Sequence, residues 1–471
     1  MSAPLSHEQK ILHFLNRISF GPTPEEVQRV DRLGFRAYLD EQLAPEKIPD
    51  NIAEEKVAAL KTMRLSSQEL FELYPPPKVA QERGMAMPGE MNAPRFIILE
   101  LQQARLLRAV YSQRQLYEVM VDFWNNHFNI FAAKGADRWL TTAYERDTIR
   151  PHALGRFRDL LLATAQSPAM LFYLDNWLSV SPNGAMTARL PANARRRGIN
   201  ENYAREIMEL HTLGVDGGYT QQDVREVARC FTGWTLVRPR GDPEFRFEPR
   251  LHDQGVKTVL GTRIAAGGGV EDGMKVIDLL ARHPATAKFI ATKLARRFVA
   301  DDPPASVVNR VAEALRRSDG DIRTAIRTIV DSPEFYSPEA YRAKVKKPLE
   351  YIASTLRVTN AETQVTPQLL RYLGRMGEPL FLAQPPTGYP DVGASWISPD
   401  MLLTRMNFAA DLVSNRLDGA RVQSTALHDS QQFVRLIAPD SLSAATRAAL
   451  AETEGADALA LLLAAPEFQR R

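Results

Sequence analysis

A mainly α-helical fold, a multi-helix bundle-like array with a small β-hairpin insertion around 234–264, is what the sequence predicts, and three observations predict it. Apolar positions recur with helical spacing along most of the chain, Ser, Thr, Asp and Pro punctuate helix starts, and strand-like alternation is confined to one Gly/Pro-broken stretch. The expected organisation has four regions: a helical entry over 1–75, a linker or flap rich in Pro, Gly and Met over 76–94, a helical core over 95–340 that carries the insertion, and a helical region over 341–471 with a Pro/Gly-rich loop at 384–399.

Taken in order, Ser6 before His7, Glu8 and Gln9 reads as a helix cap, and Thr23 followed by Pro24, Glu25 and Glu26 is a cap with proline and acids in the first turn. From 95 to 131 the apolar spacing is interrupted only near Ser112, which predicts two long helices, and the pattern continues over 144–165 and 168–178. An Arg/Asn-rich run over 192–200 leads into a helix that stops at Gly214. Asp216, Gly217 and Gly218 then make a turn, and Thr220 with Asp223 resembles a capping box for a helix over 221–231. The segments WTLVR, EFRFE and KTVLG supply the insertion. Helices resume at 268–283, 285–299, 306–317, 321–331, 343–358 and 400–415, with His283–Pro284 as a boundary.

Composition is that of an ordinary globular protein: 471 residues, 44% hydrophobic and 24% charged. A net charge of +3 gives no support for nucleic-acid binding. Cys230 is the single cysteine, so an intrachain disulfide, a thiolate zinc cage and a cysteine-held iron–sulfur cluster are excluded. No run is long and apolar enough for a membrane span, and the amino terminus shows no secretory signal, so the chain as written reads as cytoplasmic. The absence of a Gly-x-Ser-x-Gly elbow, a phosphate-cradling loop and a dinucleotide fingerprint argues against serine hydrolysis and nucleotide use.

The densest polar stretch runs from Asn200 to Trp234. As a helix it places Asn202, Arg205, Glu206 and Glu209 on one stripe, with Tyr203, Ile207, Leu210 and Leu213 as apolar contacts. Glu206 and Glu209, three apart, have the spacing of an acid/base pair with His211 beside them; an Arg205-centred salt-bridge network and a helix-capping His211 are the structural alternatives. His127 lies among Asn125, Asn126 and Asn129 beside Trp124 and Phe128, a set suited to holding a ligand or to a satisfied polar cluster. His127, Glu206, Glu209 and His211 are the candidate ligands for a divalent metal, although neither helical Glu-x-x-His pairs nor His-Glu-x-x-His occurs. The charged run YERDTIRPH, with Glu145, Arg146, Asp147, Arg150 and His152, reads as a solvated or inter-helix salt-bridge face, and His252, Asp253 and Lys257 as a loop turn or a cavity edge.

Several motifs carry a family resemblance: LNRISFGPTPEEV, DFWNNHFNIF, RPHALGRFRDLLLATAQSPAMLFYLDN, NENYAREIMELHTLGVDGGYTQQDVREVARCFTGWTL, HPATAKFIATKLARRFV and PPTGYPDVGASWISP. Through them the chain resembles, over nearly its whole length, the bacterial domain of unknown function 1800 family. The resemblance implies a mostly helical protein of a group that frequently carries export signals, which this chain departs from.

Three functional classes follow from the residues. The first is an enzyme with a cleft between the His127 helix and the 200–213 helix, roofed by the 384–399 loop. There Glu206 and Glu209 hydrolyse a polar polymer such as a glycan, Trp234, Tyr389 and Trp396 stack on sugar faces, and Asn125, Asn202, Arg205, His127 and Asp391 bind polar groups. The second is a metal-dependent oxidoreductase or hydrolase using His127, His211 and a Glu. The third is a non-catalytic helical protein that binds or assembles with a partner protein of the cell envelope.

Overall fold

The computed structural model describes residues 3–84, 93–181, 198–238, 243–423, 430–437 and 442–471, with the side chains of 430–432 excepted. Among the described residues 61% are helical, as the apolar spacing predicts, and the strands form three two-stranded antiparallel sheets. The expected caps form: Ser6 with Gln9, Thr23 with Glu26 and Thr220 with Asp223 each close a reciprocal capping box. The predicted break near Ser112 separates helices Arg95–Tyr111 and Gln115–His127. The expected linker begins with a short helix, Pro77–Glu82, and its residues 85–92 lie outside the described residues, as does 192–197 of the polar run.

One expectation is corrected. The continuous helix read over 144–165 is broken: Tyr144–Ile149 winds as a π-helix, Arg150–His152 as a 3₁₀ turn, and regular helix restarts at Phe157. Pro151, which has no N–H to give, and Gly155 sit in the gap. The expected insertion forms at 234–264, as two hairpins, Trp234–Val237 with Glu244–Phe247 and Lys257–Val259 with Thr262–Ile264. A third small pair, Glu362–Thr363 with Ala420–Arg421, lies elsewhere.

One core cluster runs from Ile11 to Phe468, and a second, smaller one groups Leu70, Phe71, Tyr74, Ile97 and Trp139. Trp124 is fully buried, its indole N–H donating to the Ala153 carbonyl at 2.9 Å, which ties the Gln115–His127 helix to the broken segment. The winding of that segment turns Glu145 inward rather than toward solvent. Glu145 is 0% exposed and faces three guanidiniums: Arg105 at 2.8 Å, Arg150 at 3.4 Å and Arg108 at 3.5 Å. Burial alone would raise its pKa; Arg105, Arg150 and Arg108 overcome that and hold it below the usual carboxylate range. Behind the hairpins, Asp272 takes Lys257 at 2.7 Å and His252 at 3.1 Å, all three buried, while Arg229 holds Asp253 at 2.9 Å. His252 and Asp253 do lie in a loop, which leads into the strand begun by Lys257, and their side chains join a buried ionic cluster. Among the described residues no helix is long and apolar enough to cross a membrane.

Candidate functional site

Asn200 starts the helix Glu201–Glu209: its Oδ1 accepts from the N–H groups of Asn202 and Tyr203 at 2.9 and 3.2 Å. Tyr203, Ala204, Ile207 and Met208 face the core, so the predicted stripe lies on the outer flank. Asn202 is exposed, Arg205 donates to Gln221 at 2.7 Å, and Glu209 accepts from the Tyr219 hydroxyl at 2.9 Å. Glu206 is half-buried; burial and then Glu209 raise its pKa, against Arg205.

His211 follows the helix and turns inward, away from that stripe. It is buried, and burial followed by the charge of Lys293 pushes its pKa down to about 3. The structure does bring His127 and His211 together: their rings are 6.2 Å apart, and His127 Nε2 donates to the His211 carbonyl at 3.1 Å. Burial, then Lys293, also depresses His127, so the imidazoles are neutral and are not shared with Glu206 or Glu209. Among the described residues no group of three or more His, Cys, Asp or Glu is placed to hold a metal ion.

Trp234 is likewise separate. It is fully buried between Phe231 and Phe245, with Gly273 against its ring, where a Cβ would lie 2.5 Å from Cζ2. No face remains for a sugar.

The predicted roof does reach the Gln115–His127 helix. Asn126 Oδ1 accepts from the Tyr389 N–H at 2.7 Å while its Nδ2 donates to the Tyr389 carbonyl at 2.9 Å. Asn129 Nδ2 donates to the carbonyls of Ala383 and Pro385 at 3.0 and 2.9 Å. Gly388, at φ +70°, permits this approach, since a Cβ there would meet the Asn126 carbonyl at 2.4 Å. Trp396 is buried, donates to the Pro390 carbonyl at 3.2 Å and packs edge-on to Tyr389, so it supports the loop from within. Asp391 pairs with Lys293 at 2.9 Å and Lys347 at 3.5 Å; burial would raise its pKa, and these lysines with Lys344 hold it well below the usual range.

Between loop and helix lies a polar pocket with about 40 Å³ of water-accessible space, room for about three waters. Asp122, Asn125, Asn126 and Asn129 form its helix wall; Lys347, Glu378 and Tyr389 close the other side. Asn125 donates to the Val121 carbonyl at 2.9 Å. Asp122 is fixed by Arg105 at 2.8 Å, and Glu378 accepts the Leu349 N–H at 2.8 Å. Burial, against Lys347 and with Asp122, pushes the Glu378 carboxyl up to about 8. A carboxyl that keeps its proton at neutral pH thus faces an arginine-paired one, the division of labour that acid/base chemistry needs.

Asp122, Lys347 and Glu378 escaped the sequence reading. Asp122 carried a signal, since Asp122, Asn125, Asn126 and Asn129 fall at helical spacing on one face. Glu378, between Gly377 and Pro379, reads only as a turn.

A family model described as "Protein of unknown function (DUF1800)" matches residues 13–470. No curated protein and no solved structure matches.

Proposed function

This chain belongs to the DUF1800 family, whose description names no activity, and from that premise we propose that it is an acid/base hydrolase acting on a hydroxyl-rich substrate such as the end of a glycan, at the pocket between Asp122 and Glu378. The observation that carries this reading is the convergence, in one small pocket, of the raised Glu378 carboxyl, the Arg105-paired Asp122 carboxylate, Lys347 and three asparagines. Asparagine amides both donate and accept, and so match the hydroxyls of a sugar. Glu378 gives its proton to the leaving oxygen as the bond to it breaks, and Asp122 takes a proton from the attacking water. Lys347 stabilises negative charge on the substrate.

The test is reducing-end release from a panel of polysaccharides and aryl glycosides. Glu378→Gln lowers the rate by at least about a hundredfold, the lower bound for general acid catalysis, while the protein stays folded. Full activity in a folded Glu378→Gln protein removes the reading.

A second reading keeps the Glu206 and Glu209 pair as the acid/base groups. It is favoured by the raised pKa of half-buried Glu206 beside Glu209. Here Glu206→Gln abolishes activity and Glu378→Gln spares it.

A further inference from the structure

On the far side of the Glu145 hub, a second cavity opens between the Asn51–Ala58 helix, the Lys61–Arg64 turn and the Arg95–Tyr111 helix. It encloses about 320 Å³, within the range of small-molecule sites. Arg64, Arg108, Arg114 and Arg150 reach its wall, against Asp50 and Glu54.

Of the two acids, only Glu54 forms an ion pair with one of these arginines. Asp50 is committed to the backbone turn, accepting from the Ser112 hydroxyl at 2.8 Å and the Gln113 N–H at 2.7 Å. Glu54 is mostly exposed and engages Arg114 at 3.2 Å. Arg150 spends its Nη atoms on Glu118 and Glu145. Arg108 is left over. Its guanidinium makes no hydrogen bond among the described residues, Nη1 is sealed from solvent, and its nearest carboxylate oxygen, Glu145 Oε1 at 3.5 Å, is already shared with Arg150. Burial, then Arg150, lowers the Arg108 pKa, against the opposing pull of Glu118 and Glu145. Planar guanidinium groups with unfilled donors on a cavity wall match the oxygens of a carboxylate or phosphate.

We propose that this cavity is a binding site for a small oxyanion-bearing molecule, a carboxylate or a phosphate, gripped by Arg108 and Arg114, with Val57, Met63 and the Tyr117 ring covering its apolar part. The site stands apart from the Asp122–Glu378 pocket and does not depend on the reading given for it.

Titration calorimetry of the full chain with inorganic phosphate and with succinate, in a low-salt buffer free of both, tests this. Saturable binding of at least one probe is expected; preference for phosphate marks a phosphoryl ligand, and preference for succinate a carboxylate. Arg108→Gln weakens binding by at least about tenfold, as loss of one charge-assisted hydrogen bond would, and Arg114→Gln, at the cavity edge, weakens it less. Without ligand, Arg108→Gln stays folded and melts only slightly below wild type, since its guanidinium has no hydrogen bond to lose and only the 3.5 Å pairing with Glu145 is removed. The proposal is overturned by the absence of saturable heat with both probes, by wild-type affinity in both variants, or by a ligand-free Arg108→Gln protein that melts far below wild type.

Discussion

Asn126 binds Tyr389 as one strand binds another, through a single side-chain amide that accepts from the Tyr389 N–H at 2.7 Å and donates to its carbonyl at 2.9 Å. The 384–399 loop is therefore held against the His127 helix by directional bonds, and the direction of the amide matters.

Asn126→Asp removes the donor and sets a carboxylate against the Tyr389 carbonyl and near Asp391, which Asn126 now meets at 3.5 Å. The expected cost is about 1–3 kcal/mol, the penalty of an unpaired buried polar group, read from equilibrium unfolding in urea. Protease cleavage within the loop should rise in parallel. An unchanged midpoint would show that the loop is held by its other contacts.

The raised pKa of Glu378 makes stability depend on pH in a defined direction. Between the ordinary value of 4.5 and about 8 the folded protein keeps a proton that the unfolded chain has lost. Stability therefore falls as pH rises through that window. Glu378→Gln lacks this dependence, so its melting temperature relative to wild type climbs from pH 5 to pH 8. A difference that stays flat across the window would mean that Glu378 titrates normally.

Asp272 offsets the charge of Lys257, which is buried beneath the hairpins, donates also to the Asp253 backbone carbonyl and meets the Asp253 carboxylate only at 3.8 Å. Asp272→Ala strands that ammonium and is expected to cost about 3–5 kcal/mol, as for a broken buried ion pair. The double change Asp272→Ala with Lys257→Met should recover much of it. Denaturant midpoints of the two proteins give the comparison, and no recovery in the double variant would count against the pairing.

Gly273 leaves no room for a side chain against Trp234. Gly273→Ala should destabilise by about 1–3 kcal/mol through overpacking, with a change in tryptophan fluorescence. Wild-type stability would mean that the indole has freedom to shift, and would reopen its use as a binding surface.

Most helices were legible because their apolar period and their caps are local properties: Thr220 with Asp223 needs no tertiary partner to declare a helix start. The 144–165 stretch was misread because its apolar period persists through Pro151 while the backbone answers to tertiary partners, Glu145 to Arg105 above all. In the candidate site, the meeting of the His127 helix with the 384–399 loop was legible from their polar and aromatic residues. The Glu201–Glu209 stripe was visible as a stripe, but the period of a helix says which residues share a face and not which face meets water. Glu378 was invisible, since its chemistry arises from burial and from a lysine and an aspartate remote in sequence.

Glu145 gives one carboxylate to three arginines that come from two separate helical segments. In a lineage of descendants none of the four positions is free to drift by itself: a neutral residue at 145 would leave Arg105 to Asp122 alone, Arg150 to Glu118 alone and Arg108 with no carboxylate, and the loss of any one arginine would redistribute the charge held by the others. Sequence change at this seam must then come as linked substitutions, and a relative that has replaced Glu145 should carry its compensations at 105, 108 and 150.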